Sequence, residues 1–557
     1  MPTKYLAITI AGAVSLGSYE AGAMYEIIDA IRQHNDDPAT TAAGDFIKID
    51  VLTGASAGGM TAAILAQKLL FAKNNFNGPY DNPLYNTWVK TITLAGLLNS
   101  VDKPIGEGGD PATLSILSSQ LIEQISERTL GQHVDGKIPV NGGPHNAIDT
   151  DRKLRLGLAL TNLNGVNYGY QLFGGGEFQY TDFSDQMLRY FTADDPSYAP
   201  WEEIQEAAVA CGAFPIAFRT KDLLRVRKDY LPSDTLEDWP SDPYTFTYTD
   251  GGVLQNQPLG MAKNLVDLND NHLDNDNRFY LFVSPSPMDG KQDLSIQERS
   301  ANAIRVVKRL VTVYMGQSTF RDWIEADSIN RQIDDLDARA AGLAKALEFP
   351  AFDADCLLTA SRQILDLLYV DDPQGKARTA DLVRLGIQYA AEVDALAKFA
   401  PSRVDAFLSA ILALEKAANL GERDKMIIYG IVTADGNLAG AGLFAFEGFF
   451  DQDFRDHDYD WGRTVARKLL QDPAFGGDKQ LGPIRYTPSP IRPINPWLNG
   501  LALSKIPKPD VTVLKEGVAA RLNEVLDDVI PDNLVERYAA KAGGHLLLDY
   551  LLDKEFS

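Results

Sequence analysis

The stretch 51-VLTGASAGGMTAAIL-65 supports two incompatible readings. Gly54-Ala55-Ser56-Ala57-Gly58 is the G-x-S-x-G of a serine hydrolase, in which a sharp strand-to-helix turn lifts a hydroxyl clear of a sheet. Gly54, Gly59 and Thr61 also keep the spacing of a phosphate-binding G-x-x-x-x-G-K-T loop. That loop needs a lysine to reach the phosphates, and its position holds Met60, a thioether with neither charge nor donor. The phosphate reading loses its chemistry, and Ser56 stands as a candidate nucleophile. The earlier turn 12-GAVSLGSY-19 fails the same test: Ser18 occupies the lysine position, and Val14 interrupts the G-x-G-x-x-G of a dinucleotide site.

Outward from this turn the chain reads as α/β. Residues 4–10 (KYLAITI) and 46–53 (FIKIDVLT) predict buried strands, each followed by a glycine-bearing turn and a helix. Two such units in succession argue for a parallel sheet with active groups at the carboxyl ends of its strands. The stretches 154-LRLGLALTNL-163, 244-YTFTYT-249 and 278-RFYLFVS-284 predict further strands. The segment 84–150, helical and then Gly/Pro-containing, reads as a cap or a long surface excursion, with the surface reading favoured. Near residue 290 the character changes: 296–347 and 381–420 carry helical periodicity, 426-MIIYGIVT-433 is strand-like, and 511–529 and 532–552 are helical again. This predicts a first domain over 1–290 and a mainly helical region over 291–557, able to pack back on the core.

Composition excludes several classes. Of 557 residues, 52 are basic and 76 acidic, for a net charge of −24 that repels nucleic acid, and no long basic run offsets it. No run of 18 apolar residues offers a membrane span. Cys211 and Cys356 are far apart, fit no disulfide framework, and read as buried reduced thiols, the pattern of a cytoplasmic protein, peripheral at a membrane at most. No metal or other cofactor is implied. Residues 267–278 imitate a calcium loop, but His272 replaces its glycine and Arg278 its bidentate glutamate.

A serine hydroxyl is a weak nucleophile and needs a base and an oxyanion site. Among the six histidines, His457 in 453-DFRDHDYD-460 is the best candidate for a Ser-His-Asp arrangement. Asp250 is the better partner. It ends the alternating strand 244–249 and opens 250-DGGVLQNQP-258, where two glycines permit tight backbone at the active edge of the sheet. A carboxylate there can take the serine proton directly if partial desolvation raises its basicity.

GASAG after the second strand, a glycine-bearing loop after the first and a distant DGG together resemble the patatin-like phospholipase family. The resemblance covers roughly residues 4–285 and includes 161-TNLNGVNYGYQLF-173, 207-AAVACGAFPIAF-218 and the Asn256 and Pro258 that follow DGG. It implies a patatin-like core with a central, mostly parallel sheet flanked by helices. It also implies a Ser56–Asp250 dyad and an oxyanion hole built from the backbone of Gly12, Ala13 and Val14. In the family loop G-G-G-x-R/K-G, Ala13, Val14 and Leu16 depart from the pattern, which leaves the loop without its charged anchor. The stretch 454-FRDHDYDWGR-463 resembles the C-terminal region of large bacterial members, and Arg455, Asp460 and Arg463 there are expected to form a buried ion-pair network. The implied activity is lipid acyl hydrolysis through an acyl-enzyme, on a lipid or ester substrate. The rival readings are a triad esterase using His457 and a non-catalytic binding protein that keeps the fold.

Overall fold

The computed structural model describes residues 3–98, 115–171, 177–270, 277–286, 303–472 and 481–500, less 216, 231–235, 238, 371, 373, 419–425, 434, 442–444 and 482–483, together with 516, 519 and 520. The boundary expected near residue 290, nearly all of the tail helices expected at 511–529 and 532–552, and half of the calcium-like loop lie outside the described residues.

Five parallel strands form the centre of one sheet. β1 (Lys4–Ile10) and β2 (Ile47–Gly54) pair with each other. β3 (Leu154–Gln171) pairs beyond β2; β8 (Arg278–Ser284) and then β9 (Ile428–Val432) extend the other side. Antiparallel additions complete it: β4 (Glu177–Phe191), the short β6 (Leu236–Glu237) and β7 (Tyr244–Asp250) pair with β3, and β5 (Lys221–Arg225) pairs with β7. The order is β5-β7-β3-β2-β1-β8-β9. β1 and β8 are buried along almost their whole length, as apolar runs in a doubly covered parallel sheet must be.

Helices flank the sheet. α1 (Gly17–Asp36) follows β1 and α2 (Ser56–Phe71) follows β2; α2 is buried nearly all round. α3 (Ser119–Thr129), α4 (Ala199–Cys211) and α5 (Leu259–Asp270) are the longer helices that follow in the first part of the chain. The C-terminal strand β9 and a later helix, Gln452–Leu470, belong to the same compact unit, which takes in residues 1–269, 275–320 and 428–557. That later helix lies against α1 so closely that a Cβ at Gly22 would fall 1.9 Å from the Tyr459 carbonyl, and one at Gly462 would fall 2.0 Å from that of Tyr19. Glycine is required at both positions.

The second unit takes in residues 270–274 and 321–427. Within it the later part of the helix Ala303–Leu347 and the helices Ala354–Leu368, Lys376–Gln388, Ala390–Ala397 and Pro401–Ala417 bury Leu347, Leu365, Leu385, Phe407 and Ile411. This matches the helical periodicity of the sequence. Cys356 lies here and is exposed, a correction to the expectation that both thiols are buried.

Candidate active site

Ser56 stands at the first position of α2 with φ of 51°, a left-handed conformation that costs a non-glycine residue energy and turns its side chain out of the helix. The glycines make the turn feasible. A Cβ at Gly54 would lie 2.4 Å from the Gly58 carbonyl, and one at Gly58 would lie 2.2 Å from that of Ala11. The elbow is thus packed against the end of β1.

Asp250 ends β7 beside Leu160 of β3 and is 1% exposed. Its backbone is fixed on both sides, N–H to the Ala213 carbonyl at 3.0 Å and carbonyl to the Thr161 hydroxyl at 2.9 Å. Ser56 Oγ donates to Asp250 Oδ2 at 2.6 Å, and Gly252 N donates to Oδ1 at 2.6 Å. Burial pushes the Asp250 carboxyl from 3.8 up to about 7, against the opposing pull of those two hydrogen bonds. The candidate nucleophile and the candidate base are therefore in contact, with the carboxyl poised near neutrality. Behind them Cys211 is buried, its thiol donating to the Ser56 carbonyl at 3.8 Å; burial and the neighbouring Asp250 raise its pKa well above the usual thiol range. It is an inert wall.

The loop 12–17 runs alongside. A Cβ at Gly12 would lie 3.2 Å from Ser56 Cβ and 2.1 Å from Asn256 Oδ1, so only glycine fits between them. The Gly12 amide is engaged: it donates to the Asn256 carbonyl at 3.0 Å. Of the three backbone groups expected to hold an oxyanion, this leaves the amides of Ala13 and Val14. Val14 has φ of 50°, and its side chain faces the cavity beside Ser56. The N-terminus of α2, capped by no side chain, adds the positive end of the helix at the same place.

The cavity over Ser56 holds about 380 Å³ of atom-free space, mouth included, and is lined by Val14, Met60, Trp88, Ile122, Phe214 and Phe449 among others. A second cavity shares Met60, Trp88, Ile92 and Ile122 with it and is lined further by Ile64, Ile125, Leu130 and Ala208. Both walls come partly from the segment 84–150, in keeping with the cap alternative and not with the favoured surface excursion. Trp88 of the π-helical turn Asn86–Thr91 and one face of α3 close the channel instead. Phe449, from the aromatic cluster 449–454, is buried against the same cavity.

His457 is occupied elsewhere. Its Nδ1 lies 3.0 Å from Asp458 Oδ1 and its Nε2 2.8 Å from Asn499 Oδ1. Asp458 in turn accepts from the amides of Ala439 and Gly440 at 2.7 and 2.9 Å. The expected ion-pair network exists with different members. Arg463 meets Glu26 at 3.1 Å and, more loosely, Asp460 at 3.9 Å, while Arg492 meets Asp460 at 2.7 Å. Arg455 stands outside it and donates to main-chain carbonyls: Val89, Gly448 and Asp451 at 2.9 to 3.0 Å, with Phe449 at 3.3 Å. Among the described residues no cluster of potential metal ligands occurs, and no helix is long and apolar enough to cross a membrane.

Residues 8–263 match the patatin-like phospholipase family. The uncharacterized protein y4iI of Sinorhizobium fredii is 24% identical over 392 residues, covering 58% of this chain and 54% of that protein, so the chain spans about half the length of this relative. The serine elbow, the glycine-bearing loop and the DGG strand end all fall inside the matched span, and the chain carries a patatin-like phospholipase domain.

Proposed function

We propose that the protein is a lipid acyl hydrolase that works through a Ser56–Asp250 dyad. Asp250 takes the proton of Ser56 as Oγ attacks the ester carbonyl carbon, and the amides of Ala13 and Val14 receive the developing oxyanion. The tetrahedral species collapses, the C–O bond to the alcohol breaks, and the alcohol leaves with the proton held by Asp250. Water then attacks the acyl-enzyme, again giving its proton to Asp250, and the carboxylic acid is released as Ser56 recovers its hydrogen. The single observation that carries this reading is the 2.6 Å hydrogen bond from Ser56 Oγ to Asp250 Oδ2 at the mouth of an apolar channel.

The channel favours an aliphatic acyl chain. Ser56, Met60 and Ile64 lie along one face of α2, so the run past them is roughly 12 Å at 1.5 Å per residue. With carbon–carbon bonds of about 1.5 Å in a zigzag, that length corresponds to on the order of ten carbons. The test is labelling by a fluorophosphonate and turnover of chromogenic esters and phospholipid vesicles by wild type, Ser56→Ala and Asp250→Ala. Labelling and turnover lost in Ser56→Ala, and both strongly slowed in Asp250→Ala, support the dyad. A wild-type protein inert to the probe and to every ester ends the reading, as does full activity in Asp250→Ala.

A further inference from the structure

We propose that Ser15 is a positioning residue that clamps the oxyanion loop to a C-terminal segment, residues 445–449, so that the active site is incomplete without chain lying beyond the matched domain. The inference rests on the dyad reading above for its kinetic meaning, but its geometry stands alone. Ala13 and Val14 are the loop residues whose amides remain for an oxyanion, and Val14 holds a φ of 50°. For a β-branched residue that conformation is strained and persists only where its surroundings over-determine it. On the upstream side the restraint is the Gly12 amide on the Asn256 carbonyl at 3.0 Å.

On the downstream side the next residue supplies it. The Ser15 side chain is completely buried, donates its hydroxyl hydrogen to the Ala445 carbonyl and accepts from the Gly448 amide at 3.1 Å. One hydroxyl thus closes a bridge across two points of the distant segment. That segment is built to receive it. Ala445 has φ of 67°, also strained, and a Cβ at Gly448 would fall 2.6 Å from Ser15 Oγ, so glycine is needed there.

The far side of the clamp is fixed in its turn. Buried Arg455 donates to the Gly448, Phe449 and Asp451 carbonyls and, through Nε, to the carbonyl of Val89 beside Trp88 in the channel wall. Leu16 brings the loop no charge, so the guanidinium from the later helix restrains it at one remove, through the segment that Ser15 grips. Phe449 carries the same segment into the cavity over Ser56. A loose clamp lets Val14 relax toward negative φ, and its amide swings away from the position of the oxyanion.

The deciding comparison is kinetic, on a short chromogenic ester with the full-length protein. Ser15→Ala is expected to lower kcat by about 30- to 100-fold with KM changed less than threefold, because an oxyanion donor acts on the transition state and not on substrate binding. Gly448→Ala should do the same from the other partner, and the double variant should be no worse than either single one. Val14→Gly in the Ser15→Ala background should recover at least tenfold of the loss, since glycine adopts the required φ without a clamp. A role confined to stability would not give that rescue. A Ser15→Ala protein within twofold of wild type, or a kcat loss that Val14→Gly fails to relieve, overturns the proposal. If Ser15→Ala does not fold, Gly448→Ala with and without Val14→Gly decides by the same criteria. If wild type itself neither labels nor turns over an ester, the dyad reading fails, and the clamp is judged by hydrogen exchange of residues 12–17. A rise of tenfold or more in Ser15→Ala sustains it, and unchanged exchange overturns it.

Discussion

Two turns of the same site, 12–17 after β1 and 54–58 after β2, solve one problem in different ways. Each holds a non-glycine residue at positive φ, Val14 at 50° and Ser56 at 51°. In the second turn the strain displays a side chain, and neighbouring glycines hold it by close contact within a few residues. In the first the strain, on the proposed reading, aims a backbone amide, and the downstream restraint comes from a hydroxyl bridge to residues some 430 positions away. A side chain can be positioned by local sterics alone. A backbone group with an ill-suited residue needs help from outside.

The comparison breaks most completely at Ser56. Ser56→Ala leaves the elbow, whose φ alanine tolerates no better than serine, but removes the nucleophile; ester turnover should fall by at least ~10⁴-fold, with residual catalysis left to the amides. Substrate binding, measured with a non-hydrolysable ether analogue, should be nearly unchanged. Activity within tenfold of wild type would place the nucleophile elsewhere.

Asp250→Asn should cost about 10² to 10⁴ in kcat, the range of a general base. In wild type kcat/KM should rise about tenfold per pH unit up to about 7 and then level off, since the active form is the carboxylate and burial sets its pKa at about 7. Stability must move the opposite way. Between the unfolded value near 4 and about 7 the folded state holds a proton that the unfolded state has lost, so wild type loses stability as pH rises through that window. Asp250→Asn lacks this loss. Thermal unfolding should find it more stable than wild type at pH 8, by a few kcal/mol at most, with the gap closing toward pH 4.

The second turn meets the chain leading into the first at Gly58, whose absent side chain faces the Ala11 carbonyl at 2.2 Å and that of Ile10 at 2.4 Å. Both are main-chain atoms of β1's end, unable to step aside as a flexible side chain would. Gly58→Ala should therefore push the turns apart and lower kcat on the order of 10²-fold, the scale of a 1 Å misplacement, with a reduced Tm. An unchanged kcat would mean that the turns need no mutual register. Farther down the channel the effect narrows to selectivity: Ile125→Trp should lower kcat/KM for a decanoyl ester roughly tenfold relative to a butyryl ester, because each methylene denied burial forfeits about 0.8 kcal/mol. Equal losses for both esters would remove the channel from the reading.

The same contrast explains what the sequence disclosed. Ser56 was legible because its glycines answer to contacts within the motif, and Asp250 because a strand end followed by Gly-Gly is a local pattern. Buried runs such as 278-RFYLFVS-284 foretold the parallel sheet for the same reason. The channel wall was not legible: an apolar helix face with Ile122, Ile125 and Ser126 reads alike whether it meets core or cavity. The engagement of the Gly12 amide left no trace, since every residue has an amide. Arg455 misled a search for carboxylates because its partners are carbonyls, and Ser15 is an ordinary serine until Gly448 and Ala445 are brought to it.

The smallest effect on catalysis belongs to His457, and it separates the two kinds of restraint. Its ring joins Asp458 and Asn499, and Asp458 holds the amides of Ala439 and Gly440, so its work is to keep the chain after β9 in place. Burial opposes the charged imidazole, but the hydrogen bond and charge of Asp458 outweigh it and raise the pKa. The folded state therefore favours the proton, and the stabilisation is complete below the unfolded pKa of about 6.5 and lost as pH rises through the higher folded value. His457→Gln should keep kcat within threefold of wild type while lowering Tm at pH 6 more than at pH 9. Loss of turnover at intact folding would move the base from Asp250 to His457. A Tm deficit independent of pH would show that the ring acts by shape and hydrogen bonding without its charge.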